Sequence, residues 1–230
     1  MKKNKSIIVG TTMVQVMGSR VLWYLSIVIA IYIGTVFFSN VFNDVKMSVP
    51  SYSLVSILAD SSRYFFLVCG ILSVSGFLNY FVSRGVTRKA YFNGNVYGIF
   101  LLAIMFTSAT AIIYSIESLI FSGYENNFGQ MALFFVKMVV DIILFYLIGW
   151  FIAVGFYHSN FVKGVGFILI AIAVVFIQSG IWGEGLPLAF LSIVTIQDFS
   201  PILIISISVF FISVFIYIIR QLTKNVTVKF

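Results

Sequence analysis

The chain has 230 residues, of which 61% are hydrophobic and only 9% charged, with a formal net charge of +7. A water-soluble domain carries about a quarter of its residues as Asp, Glu, Lys and Arg, so this composition excludes one. The excess charge does not point to nucleic acid either, because the cations sit in short tethers between apolar runs.

The first stretch, MKKNKSIIVGTTMVQVMGSR, begins basic but has neither a continuous apolar region before Arg20 nor a small-residue cleavage site. It reads as retained rather than as a signal peptide. Ile7, Ile8, Thr11, Val14 and Met17 recur at helical spacing, with Lys2, Lys3, Lys5 and Gln15 polar. That pattern predicts an amphipathic helix over 3–19 lying on the inner leaflet, with a frayed tail as the alternative.

About 20 apolar residues cross the hydrocarbon core as a helix. Six segments meet or approach that length: 21–39, 64–83, 96–116, 133–157, 165–180 and 201–219. The runs are too continuous for a barrel's alternation, so helices are required. The fifth is the shortest, and Gln178 and Ser179 are expected near the interface. Asn40 to Arg63 reads as a polar outer excursion around Pro50. Gln178 to Ser200 is too apolar for a free loop and too short for two more spans, which predicts a re-entrant hairpin. Pro201 then opens the last span, where a missing N–H costs nothing. The fold class is therefore an all-α polytopic membrane protein, one domain over 1–230.

The cations orient it. Lys2, Lys3, Lys5, Arg20, Arg84, Arg88, Lys89, Lys163, Arg220, Lys224 and Lys229 fall on one side, against Lys46 and Arg63 on the other. The excess marks the cytoplasmic side and puts both termini there. The acids Asp44, Asp60, Glu117, Glu125, Glu184 and Asp198, not used in that assignment, all fall outside.

Two intramembrane charges stand out. Lys137 and Asp141 lie four apart on one face of the fourth span. Such charges usually face a partner or a wet cavity, which suggests a translocation path or a second subunit. They can equally pair with each other, with Lys137 snorkelling outward. His158, the one histidine, is explained by a helix end at the interface, and no donor cluster predicts a metal. The single cysteine, Cys69, excludes a disulfide within the chain. There is no GxxxxGK[ST], HExxH or GxSxG sequence.

The most informative stretch is NYFVSRGVTRKAYFNGN, Asn79 to Asn95, between the second and third spans. Gly85 and Gly94 flank about two turns of possible helix that mixes aromatic with basic residues. A short surface helix of this kind suits a partner's groove, with aromatic anchors and paired cations.

Ser83-Arg84-Gly85-Val86-Thr87-Arg88-Lys89, followed by Tyr91-Phe92-Asn93-Gly94, resembles the corresponding loop of type-2 ABC exporter permease subunits, in the small six-span form common in Gram-positive bacteria. The layout is similar over nearly the whole chain, and the sequence-specific part is about a dozen residues. The resemblance implies coupling to a cytoplasmic ABC ATPase dimer through Arg84, Gly85, Thr87, Arg88, Lys89, Tyr91 and Phe92. It implies a secondary cytoplasmic contact at His158 and Lys163, in a connection shorter than that of the family. It further implies a second or homologous permease copy, ATP and Mg on the partner, no cofactor on this chain, and a bacterial plasma membrane. The implied cargo is an amphipathic or hydrophobic peptide, with self-immunity as a consequence.

Rival readings are a membrane immunity or sensor protein that binds antimicrobial peptides without moving them, and a channel or ion-coupled transporter. An intramembrane enzyme is disfavoured, because Asp141, Glu117 and His158 lie at three depths.

Overall fold

Backbone groups in lipid must close their hydrogen bonds within the chain, and every regular element among the described residues is helical. A computed structural model describes residues 5–42, 53–120, 128–158, 161–183 and 200–225. The helices are α1 (Lys5–Phe42), α2 (Leu54–Leu72), a π-helical segment (Ser73–Leu78), α3 (Asn79–Ser83), α4 (Arg88–Ile120), α5 (Phe128–His158), α6 (Phe161–Ile181) and α7 (Pro201–Asn225). Six of them, α1, α2, α4, α5, α6 and α7, are long and apolar enough to cross a membrane. The region of the expected re-entrant hairpin from 184 to 199 lies outside the described residues.

α5 is the axis of the bundle. Asp141 to Trp150 is buried without a break, as expected of a helix that is apolar on every side. It packs against α2, α4, α6 and α7. The α2 contact is closest where two glycines face each other's helices. A Cβ on Gly70 would collide with the Tyr146 carbonyl, and one on Gly149 with the Leu67 carbonyl. Only bare backbone fits this crossing.

α1 lies on the flank of α4. Val9, Met13, Met17, Val21 and Leu25, every fourth residue, are buried, while Leu22, Trp23, Ile27 and Ile31 are exposed as expected of a lipid-facing side. Gly94 and Gly98 let the helices approach. A Cβ at Gly94 would lie 2.6 Å from the Ser6 carbonyl oxygen. The stripe runs straight through Gly18, Ser19 and Arg20, and α1 continues unbroken over 38 residues. The segment 3–19, expected as a separate surface helix, is therefore continuous with the first span from Lys5 onward.

The second span differs more. Leu54 to Arg63, expected as part of an outer loop, is the first half of α2. Leu54, Val55, Leu58, Ala59, Ser62 and Phe66 form its buried face, and the charges that made it look like a loop share the helix with them. α2, the π segment and α3 follow one another without a break, a rod of about 45 Å at helical rise. Glu117, near the far end of α4, holds the start of this rod. Its carboxylate accepts from the Leu54 N–H (3.0 Å) and the Ser53 hydroxyl (2.9 Å). An anion at a helix N-terminus meets the orphan donors and the positive end of the dipole.

Candidate functional site

Two places gather chemistry. The first is the end of the bundle at Arg84–Thr87. The rod stops in a glycine-centred cap: Gly85 takes φ +73, its N–H donates to Val82 O (3.0 Å) and the Val86 N–H to Phe81 O (3.0 Å). This is the Schellman pattern, for which a left-handed glycine is the cheapest residue. Thr87 then caps α4, its hydroxyl accepting from the Ala90 N–H at 3.2 Å. The connection is short and braced at both ends.

Further contacts tie it down. The Lys5 ammonium donates to Gly85 O at 3.2 Å. Arg88 donates to the Lys224 carbonyl at 3.1 Å, a cation on the last turn of α7 where the dipole favours it. Arg84 lies over the Tyr80 ring at 3.9 Å, and Arg220 over Phe92 at 5.0 Å. The start of α1 and the end of α7 thus meet the same turn. Arg84 and Lys89 are exposed and Arg88 half-buried.

The aromatic residues of this stretch behave otherwise than expected. Tyr91 and Phe92 are buried, at 0% and 6% exposure. Tyr91 donates its hydroxyl to Ser73 O at 2.6 Å, and both rings pack on Trp150. They are core residues of this bundle and not anchors presented to a partner. Nor is there a separate two-turn helix, because Arg88 onward is the first part of the 33-residue α4 and Gly94 serves the α1 contact. Lys163 is exposed on α6, and His158 ends α5.

The second place is a polar cluster where α2, α5, α6 and α7 meet. Asp141 on α5 pairs with Arg63 on α2 at 2.9 Å, the side chains 6% and 15% exposed. Gln178 donates towards Asp141 at 3.5 Å and to the Ser208 hydroxyl at 3.1 Å. Lys137 is half-buried, its ammonium 5.4 Å from the Trp182 ring centroid. Beside the ion pair, Ser56, Asp60, Arg63, Lys137 and Asp141 line a cavity of about 230 Å³.

Spacing on α5 brought Lys137 and Asp141 together in the sequence. The fold adds Arg63 from a segment expected to be loop. Gln178 was expected at the interface and is instead 2% exposed, its amide held by Asp141 and Ser208. The apolar spacing of Leu54 to Phe66 was the available signal for Arg63. Nothing in the sequence marked Ser208.

These features define a six-helix, all-α, multi-pass membrane-spanning bundle. No family model matches the chain, and no curated protein or solved structure is significantly similar to it.

Proposed function

We propose that this chain is the membrane subunit of an ATP-driven exporter, with the hydrolytic site on a separate cytoplasmic ATPase dimer that holds ATP and Mg. The observation that carries this reading is the braced basic end. Arg84 and Lys89 are exposed on a connection capped by Gly85 and Thr87 and tied to α1 and α7 through Lys5 and Arg88. A push on such a turn reaches several helices at once, as a motor-driven conformational change requires. The same end carries most of the described cations, so it faces the cytoplasm of a bacterial cell membrane in this reading.

The packed α5 fills the centre of one copy, which favours a path between two permeases, identical or homologous. Few charges line the apolar helices, which suits an amphipathic or hydrophobic cargo such as a peptide. The Arg63–Asp141 cavity supports a second reading, a peptide-binding immunity or sensor protein, since a polar site of this kind binds without a motor. Purification of the tagged chain in mild detergent separates the two. An exporter subunit brings a soluble ATPase and ATP-dependent peptide efflux; a sensor binds peptide with neither.

A further inference from the structure

α1 and the α2–α3 rod run antiparallel, for Lys5 reaches Gly85 and Tyr24 reaches Ser61. Between these contacts lies a cavity of about 430 Å³. Two stripes at four-residue spacing form its walls: Thr12, Val16 and Arg20 on α1, and Leu72, Gly76 and Tyr80 opposite. Val16, Leu72 and Tyr80 are all partly exposed, so the cleft opens sideways on the flank that also exposes Trp23 and Val68.

Arg20 is the charge in this cleft. The sequence placed it ahead of the first span, but it lies inside α1, exposed and lining the cavity with Leu72. Leu72 is about 20 Å along the rod from Gly85 at helical rise. Among the described residues the Arg20 guanidinium has neither an ion pair nor a hydrogen bond. A cation at such depth is costly unless something covers it.

A second copy of the chain is a poor source of that cover. A twofold axis along the membrane normal keeps each residue at its own depth. Of the described acids, Glu117 and Asp141 are buried. Asp60 is about 18 Å from Leu72 along the rod, towards the other end. The cleft has the shape and lining for an acyl chain instead. A Cβ placed on Gly76 meets no atom within 4 Å, so its wall is open where a side chain is missing. At the mouth, Arg84 lies over Tyr80 and adds to the positive field.

We propose that this cleft is a binding site for an anionic membrane phospholipid. Its phosphate pairs with the Arg20 guanidinium, whose side chain leans towards the α1 N-terminus and the Thr12–Tyr80 mouth, and one acyl chain lies against Leu72 and runs on past it towards Val68. Guanidinium and phosphate form a charge-assisted pair with matched geometry. The inference stands independently of the exporter reading.

The test is native mass spectrometry of the purified chain with phosphatidylglycerol and, separately, phosphatidylcholine. Wild type is expected to retain phosphatidylglycerol about tenfold more tightly, the scale of one charge-assisted contact. Arg20→Gln should erase that preference, and Gly76→Phe, which fills open space, should weaken both lipids. Leu169→Ala, on an exposed position of α6, should change nothing. Equal retention of the two lipids by wild type overturns the proposal without recourse to any variant. So does an unchanged preference in Arg20→Gln. Displacement by soluble glycerol phosphate as readily as by the lipid would make this a free-anion site. Loss of a dimer in Arg20→Gln, with lipid retention intact, would assign the cleft to a second copy.

Discussion

The guanidinium of Arg63 on α2 meets the carboxylate of Asp141 on α5 at 2.9 Å, inside the bundle and one turn from Lys137. Breaking a buried pair from one side leaves the other charge stranded. Asp141→Asn is expected to lower stability by about 3–5 kcal/mol, read as a fall in thermal midpoint in detergent. Replacing both partners with Met should recover most of that loss, since an apolar pair of similar volume is often neutral. A double variant as unstable as the single one would show that the pair organises more than its own contact.

The α2–α5 crossing makes a sharper test of packing. Gly149→Ala and Gly70→Ala place a Cβ against the backbone of the facing helix, and each is expected to cost about 1–3 kcal/mol or more. Gly34→Ala meets nothing within 4 Å and should leave the midpoint unchanged or slightly raised. Equal effects at all three positions would mean that helix propensity, rather than approach, decides.

Glu117 anchors the start of α2 through Leu54, Ser53 and Tyr32. Glu117→Ala should cost about 1–2 kcal/mol, the scale of a lost cap and its charge at a helix N-terminus. Hydrogen exchange localises the effect: amides at Leu54 to Leu58 should exchange faster while those of α5 keep their protection.

Tyr91 tests whether the aromatic residues of the basic stretch belong to this chain's core. Tyr91→Phe removes one hydrogen bond to Ser73 O and is expected to cost about 1 kcal/mol. Tyr91→Ala also empties a fully buried site and should cost about 3–5 kcal/mol. An alanine variant of wild-type stability that fails only in partner binding would restore Tyr91 as an anchor.

How much of this was legible from the residues depends on the range of the interaction. The third, fourth and sixth spans stand out because their apolar runs are continuous, and desolvation of a run is a local property. The start of α2 was not legible. Asp60, Ser61, Ser62 and Arg63 look like a loop until distant residues meet them, Asp141 on α5 pairing with Arg63 and Tyr24 on α1 with Ser61. Glu117 on α4 holds the Ser53–Leu54 start. Gln178 was placed at the interface because an amide in lipid is costly, and that cost is met by Ser208 on another helix. Which glycines face which helix was not legible for a related reason. Gly70 and Gly149 match across two helices rather than along one, and Gly94, four before Gly98 of the third span, was read as part of a loop. A count of cations does not distinguish Lys89, exposed at the end, from Arg20, which lines the cleft between α1 and the α2–α3 rod.

The exporter reading rests on Arg84 and Lys89, exposed at the braced end and absent from the buried core. The most direct test is pull-down of the tagged chain from its native membranes, with Arg84→Glu and Lys89→Glu combined and Tyr91→Phe as control. The account predicts that wild type and Tyr91→Phe bring down a soluble protein with ATP hydrolysis. The double reversal should lose that protein while keeping membrane abundance and thermal midpoint. Undiminished capture and turnover by the double reversal, or no ATPase with wild type, would contradict it.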